Sequence, residues 1–266
     1  MKTSFLKLSV IIFSIMLSIS SCQKERILVP EAVAPEVEQM GRNSNIFKGP
    51  VVQIGNGHAR SWIRISHAGQ PEELGVELTD AALMSLPDHD EPLLLPLHRK
   101  ATEVTPFDHI GFNFMVHGHF PPGVFDIPHF DVHFYMQSVA ERLAIPPVSP
   151  ATLPMFMLAP PAGYMPVSYS PAGPEPQMGT HWIPPPPTFI PFTRVMIYGS
   201  YNGALTFIEP MVTITHLQGA GSTNPYLQPA KFKEASNYPT VYNVYKDDQT
   251  GNHYVTLSHF VSRPAN

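Results

Sequence analysis

The chain has 266 residues, 43% hydrophobic and 14% charged, with 31 prolines and a formal net charge of −5. Average chains carry about 25% charged residues, so a highly charged disordered protein is excluded. The proline content excludes a mostly helical one, because proline lacks the N–H that helix interiors use. The acidic balance gives no basic footprint and excludes a nucleic-acid partner.

Residues 1–21 read as a lipoprotein signal peptide. Lys2 and Lys7 precede an apolar run over 8–19, then small residues lead to Cys22. The run is shorter than the ~20 apolar residues of a spanning helix. Ile19-Ser20-Ser21-Cys22 resembles a bacterial lipobox, in which the cysteine is lipidated and becomes the new N-terminus. Cys22 is the only cysteine, so no internal disulfide is expected. The expected location is the cell envelope, as an outer-membrane or cell-surface lipoprotein held to the membrane by its lipid anchor. Gln23-Lys24-Glu25 resembles the surface-export signals of some bacterial lipoproteins. Residues 22–48 hold the lipidated cysteine and an extended tether rich in Pro, Glu and Val, with a strand over 26–29 as its alternative. A single β-rich domain is expected over 49–266.

In that domain, residues 51–65 contain β-formers around a Gly55-Asn56-Gly57 turn, and residues 68–71 form a second turn. A strand over 74–78 leads to a short helix over 80–86 capped by Thr79, and 88–99 is a proline-interrupted loop. Residues 110–116 make a buried strand. In residues 129–136, Phe130, Val132, Phe134 and Met136 face one way; His129, Asp131, His133 and Tyr135 face the other. Ser138 and Glu141 form a capping box that starts a helix ending before Pro146. Residues 146–191 hold most of the prolines. Their many large apolar side chains predict a loop packed on a core, since burying each is worth about 1.5–3 kcal/mol. Residues 194–209 form a hairpin through Asn202-Gly203. Its expected register sets Tyr201 opposite Ala204, Ser200 opposite Leu205, Tyr198 opposite Phe207 and Met196 opposite Glu209. A second hairpin joins 240–246 to 252–261. Many short strands with turns between them imply a mainly β fold, a sandwich or barrel with short helices and long proline-rich loops.

Thirteen histidines carry the chemistry. The dense cluster is His117-Gly118-His119 and His129-Phe130-Asp131-Val132-His133. Imidazole suits Zn, Cu, Fe and Ni. His129 and His133 stand about 13 Å apart on a regular strand, so they cannot share an ion there. Asp131 between them is placed to accept a ring N–H as a supporting group, with Tyr135 on the same face. Glu209, on an otherwise apolar hairpin face, needs a partner. His181, beside Trp182, is the fifth candidate. The expected ligand set is therefore His119, His129, His133, His181 and Glu209, with Zn or another divalent transition metal. His119, His181 and Glu209 are expected to approach one another, together with His129 or His133.

Several blocks resemble a known family: residues 55–62, 74–79, 118–123, 128–135, 179–182 and 198–211. They look like a bacterial extracytoplasmic domain of unknown function, the TTHB-two-hundred-ten-like family, and the resemblance spans roughly residues 50–263. It implies one β-rich secreted domain, homo-oligomers and no established activity. Positions matching His119, His129, His133, His181 and Glu209 tend to hold the same residue types in that family; His117 stands outside the pattern.

There is no Gly-x-Ser-x-Gly elbow, P-loop or His-Glu-x-x-His. Two readings remain open. One is a lipid-anchored envelope domain that binds a divalent transition metal, with a cupin-like hydrolase, lyase or oxygenase as its enzyme form. The other is a non-catalytic binding or assembly module with a histidine–tyrosine network and no metal.

Overall fold

A computed structural model describes residues 44–266. The signal peptide, Cys22 and nearly all of the tether lie outside the described residues. The chain order begins β1 (Ser44–Lys48), β2 (Val52–Ile54), β3 (Gly57–Ser66), β4 (Pro71–Leu78), α1 (Asp80–Leu83), β5 (Glu91–Pro96) and α2 (Arg99–Val104). It continues with β6 (His109–Met115), β7 (His129–Tyr135), α3 (Val139–Leu143), α4 (Leu153–Met157), β8 (Ser170–Glu175) and β9 (Gly179–Ile183). The rest is β10 (Arg194–Tyr201), β11 (Ala204–Thr213), α5 (Ile214–Leu217), β12 (Ser222–Pro225), β13 (Ser236–Lys246) and β14 (His253–Arg263).

The strands build two antiparallel seven-stranded sheets, in a sandwich rather than a closed barrel. The first runs β1-β3-β4-β14-β13-β12, with β2 also paired to β3; the second runs β5-β6-β7-β11-β10-β9-β8. The main core mixes Ile63, Leu74, Val76, Val255 and Leu257 of the first sheet with Ile110, Phe112, Phe130, Val132, Phe134 and Ile208 of the second. The alternation of β7 is thus resolved as expected: its Phe-Val-Phe face enters this core, and its His-Asp-His-Tyr face points to the far side of the second sheet. That far side is not bare. Phe125, Phe189 and Phe192 come from loops and pack on Val195, Ile197 and Met211, forming a second apolar cluster.

Three local features differ from the sequence expectation. Residues 88–99 are not simply loop but contain β5, and the proline-rich stretch contains β8 and β9. Both β5 and β8 are sheet edges, where a missing proline N–H breaks no ladder bond, so Pro92, Pro96, Pro171 and Pro174 are tolerated. Ser44–Lys48, at the end of the expected tether, pairs with β3. The third difference matters most for the site. The β10–β11 register shifts between Gly199 and Ser200, so Gly199 pairs with Phe207, Tyr198 with Ile208 and Ile197 with Glu209. The expected Tyr198–Phe207 and Met196–Glu209 pairs do not form. One bulge moves Glu209 from the core face to the outer face, because side chains alternate with period two.

Candidate metal centre

The outer face of the second sheet gathers the sequence candidates into two groups. The inner group is His133, His181 and Glu209; the outer group is His119, His129 and Asp131. In each, one ligand atom per residue lies within 4.8 Å of the others.

Strand register builds the inner group. The β7–β11 ladder pairs Phe134 with Ile208 and Asp131 with Met211, a register that sets Glu209 opposite His133. The β9–β10 ladder sets His181 beside Gly199. Gly199 is required here, because a Cβ at this position would stand 2.1 Å from the Phe207 ring. The ring lies over that gap and touches the group edgewise, with centroids 4.7 Å from His133 and 5.1 Å from His181. His133 Nε2 is 3.5 Å from Glu209 Oε1, and His181 Nε2 is 3.7 Å from Glu209 Oε2. Among the described residues, neither ring nitrogen of His133 has a hydrogen-bond partner, nor does Glu209 Oε2, and all three atoms are buried.

Burial sets the charge state of this group. It pushes Glu209 well above the ordinary carboxylate value, and nearby Asp131 adds to the shift. It also lowers His133 to about 3 and His181 to about 4. Near neutral pH the imidazoles are uncharged, which is the form that ligates metals.

The outer group uses one strand and one loop. Gly118 takes φ +68°, a conformation that favours glycine. A Cβ there would stand 2.0 Å from the Phe125 carbonyl oxygen. The tight return, with His119 N–H donating to Phe125 O at 3.0 Å, brings His119 back over β7. His119 Nδ1 lies 2.8 Å from the Phe120 carbonyl and His129 Nδ1 lies 2.6 Å from the Ile127 carbonyl. With each Nδ1 held at a carbonyl, the Nε2 atoms are the ring nitrogens left to face the carboxylate. These point at Asp131, at 3.3 Å for His119 and 2.9 Å for His129. The 2.9 Å contact has hydrogen-bond length but not its direction, and both of its atoms lack a partner among the described residues. Burial raises Asp131, but His119 and His129 outweigh it and hold the carboxylate well below its usual value. His119 is itself raised, since Asp131 more than offsets its burial.

The spacings have a simple metric. A tetrahedral ion with ligand bonds of about 2.0–2.1 Å separates its ligand atoms by about 3.3 Å. The observed carboxylate–imidazole separations of 2.9–3.7 Å bracket that edge. A backbone carbonyl that fixes the far nitrogen is also the usual support of a ligating histidine.

The structure therefore does not bring all five sequence candidates to one point. His133, His181 and Glu209 meet. His119, expected beside Glu209, meets Asp131 instead. Asp131, expected as a support, occupies a ligand position. His129 and His133 fall in different groups, as their spacing requires. Tyr135 stacks on His133 at 5.6 Å and 11° and makes no polar contact with the carboxylates. His117 is exposed and joins neither group. Sequence reasoning missed Gly199, Phe207 and Arg142; for Arg142 the only available signal was its position on the helix following β7. No family model, curated protein or solved structure matches the chain.

Proposed function

We propose that this chain is a lipid-anchored cell-envelope protein that binds divalent transition-metal ions, such as zinc, at two neighbouring sites. Each site offers two imidazoles and one carboxylate and leaves coordination positions open for a ligand or substrate. One observation carries the reading: buried histidine nitrogens and carboxylate oxygens face one another unbonded, at the edge lengths of a coordination polyhedron. Burying such groups without compensation costs several kcal/mol, and an ion between them supplies the compensation. The envelope location rests on the n-region, apolar run and Cys22 of the sequence, and kinship with the TTHB-two-hundred-ten-like family, with its homo-oligomers, rests on the sequence blocks alone.

The test is metal content. Purified full-length protein, supplied with zinc and dialysed, should hold two ions per chain. His133→Ala should remove one ion and Asp131→Ala the other. Sub-stoichiometric metal in the unmodified protein, unchanged by added zinc and by either substitution, overturns the proposal.

A further inference from the structure

Arg60, Arg64 and Arg99 each face a carboxylate, whereas Arg194 bonds Asn224 and Arg263 lies over the Phe232 ring, both away from the histidine groups. Arg142 pairs with no carboxylate among the described residues, and its Nε is buried without a hydrogen-bond partner. The residue sits on α3, whose start is fixed by the Ser138–Glu141 capping box. Its guanidinium carbon lies 4.9 Å from the centre of the Tyr135 ring. Gly111 lies beside it, and a Cβ there would crowd only the Tyr135 ring. Gly111 pairs with His133 across the β6–β7 ladder. A Cβ on Gly111 would stand 3.5 Å from His133 Cβ, 3.7 Å from Arg142 Nη1 and 3.0 Å from Tyr135 Cε2. An unpaired cation thus lies along the flank of the inner histidine–glutamate group.

Charge counting then gives the ligand. A divalent ion, the Glu209 carboxylate and the Arg142 guanidinium leave about two uncompensated positive charges. The ion would lie beside the Phe207 ring, where charge is poorly screened, and the half-buried guanidinium against the Tyr135 ring, where solvent screens it in part. A metal-bound hydroxide would cancel only one of these charges. The planar guanidinium fork matches two oxygens of a phosphate or carboxylate, and a three-ligand ion keeps a position for another.

We infer that the inner site, once it holds its ion, binds a doubly charged oxyanion of the phosphate type between the metal and Arg142. The inference rests on the metal reading above and adds the class of its ligand. A soluble phosphate ester and a phospholipid headgroup share this chemistry.

The experiment uses full-length protein in detergent, loaded with cobalt(II), whose visible absorption reports its ligands. Titration with inorganic phosphate should shift the band to saturation. Arg142→Met, which keeps bulk against Tyr135, should weaken phosphate by about tenfold or more with cobalt content unchanged. Arg142→Lys keeps the charge and should retain most of the affinity. Displacement of phosphate by glycerol phosphate alone assigns a soluble ester, and displacement also by phosphatidic-acid vesicles assigns a headgroup; either supports the inference. Cobalt bound with no phosphate response, equal phosphate affinity in Arg142→Met, or acetate binding as tightly as phosphate overturns the inference and leaves the metal reading standing. Failure to bind cobalt at all overturns both.

Discussion

Both sheets bury carboxylates away from the main core, and they treat them in opposite ways. On the first sheet, Glu77 takes Lys48 at 2.8 Å and Arg60 at 2.6 Å, while Glu73 takes Arg64 at 2.8 Å. Hydroxyls complete the shell: Thr256 Oγ1 donates to Glu73 at 2.6 Å, Tyr245 OH to Glu73 at 3.1 Å and Tyr254 OH to Glu77 at 3.3 Å. On the second sheet, Asp131 and Glu209 have imidazoles where the first sheet has cations. The first sheet's network is closed by the chain itself. The second sheet's has no cationic side chain paired to either carboxylate among the described residues, and its groups are arranged so that they could hold a metal ion. Two equally buried carboxylates can therefore report opposite roles, and the partners decide which.

The sharpest way to break this comparison is to remove one carboxylate charge from each side in metal-free protein. Glu77→Gln strips a charge that two cations depend on. It should destabilise the fold by about 2–3 kcal/mol, below the ~3–5 kcal/mol of a fully buried broken pair because Lys48 and Arg60 are partly exposed. Denaturant unfolding measures this, and a change under about 0.5 kcal/mol, the usual size of a neutral surface effect, would show the network to be ornamental.

Zinc should separate the two sides next. At about 100 times its dissociation constant, an ion that binds only the folded state adds about 2.7 kcal/mol. The wild type and Glu77→Gln should both show the gain in thermal unfolding. The Asp131→Asn, Glu209→Gln double variant should lose it.

A smaller effect is expected for Glu209→Gln without metal. Burial, with nearby Asp131, shifts Glu209 toward the neutral acid, and glutamine copies the shape of that form. Stability should change by less than about 1 kcal/mol, in either direction. A loss as large as that of Glu77→Gln would mean that Glu209 is ionised and satisfied within the chain.

The smallest difference is in acid. Burial pushes Glu77 up, but hydrogen bonds and charges from Lys48 and Arg60 outweigh it and hold the group below its ordinary value of 4.5. A depressed folded-state value stabilises at pH above the unfolded value, and that contribution is lost as pH falls below about 4.5 through the folded value. The melting temperature of the wild type should fall more between pH 6 and pH 3 than that of Glu77→Gln. Parallel curves would remove Glu77 from the acid response.

Local signals were legible where one short stretch decides the outcome. The alternation over His129–Tyr135 fixed which side chains share a face, and the structure keeps it. The Ser138 capping box, the Thr79 cap and the Asn202-Gly203 turn also form as their residues demand. The prolines of β5 and β8 misled, because proline tolerance depends on whether a strand is an edge, and edge position is not written locally. Asp131 shows the same limit within the site. Its spacing placed it on the histidine face, but only the return of the Gly118 loop gives it a second imidazole.

The sequence by itself determined a mainly β domain, the polar face of β7 and the residue types of the cluster, because period-two alternation, turn chemistry and caps act over a few residues. Tertiary structure alone decided the partition into two groups and the outward turn of Glu209. It also alone decided the approach of Arg142 across Gly111. These depend on the bulge at Gly199, on ladders between strands far apart in the chain, and on loops that close over a sheet. A one-residue slip in any ladder reverses the face of every residue beyond it, so no reading of a single strand could have fixed them.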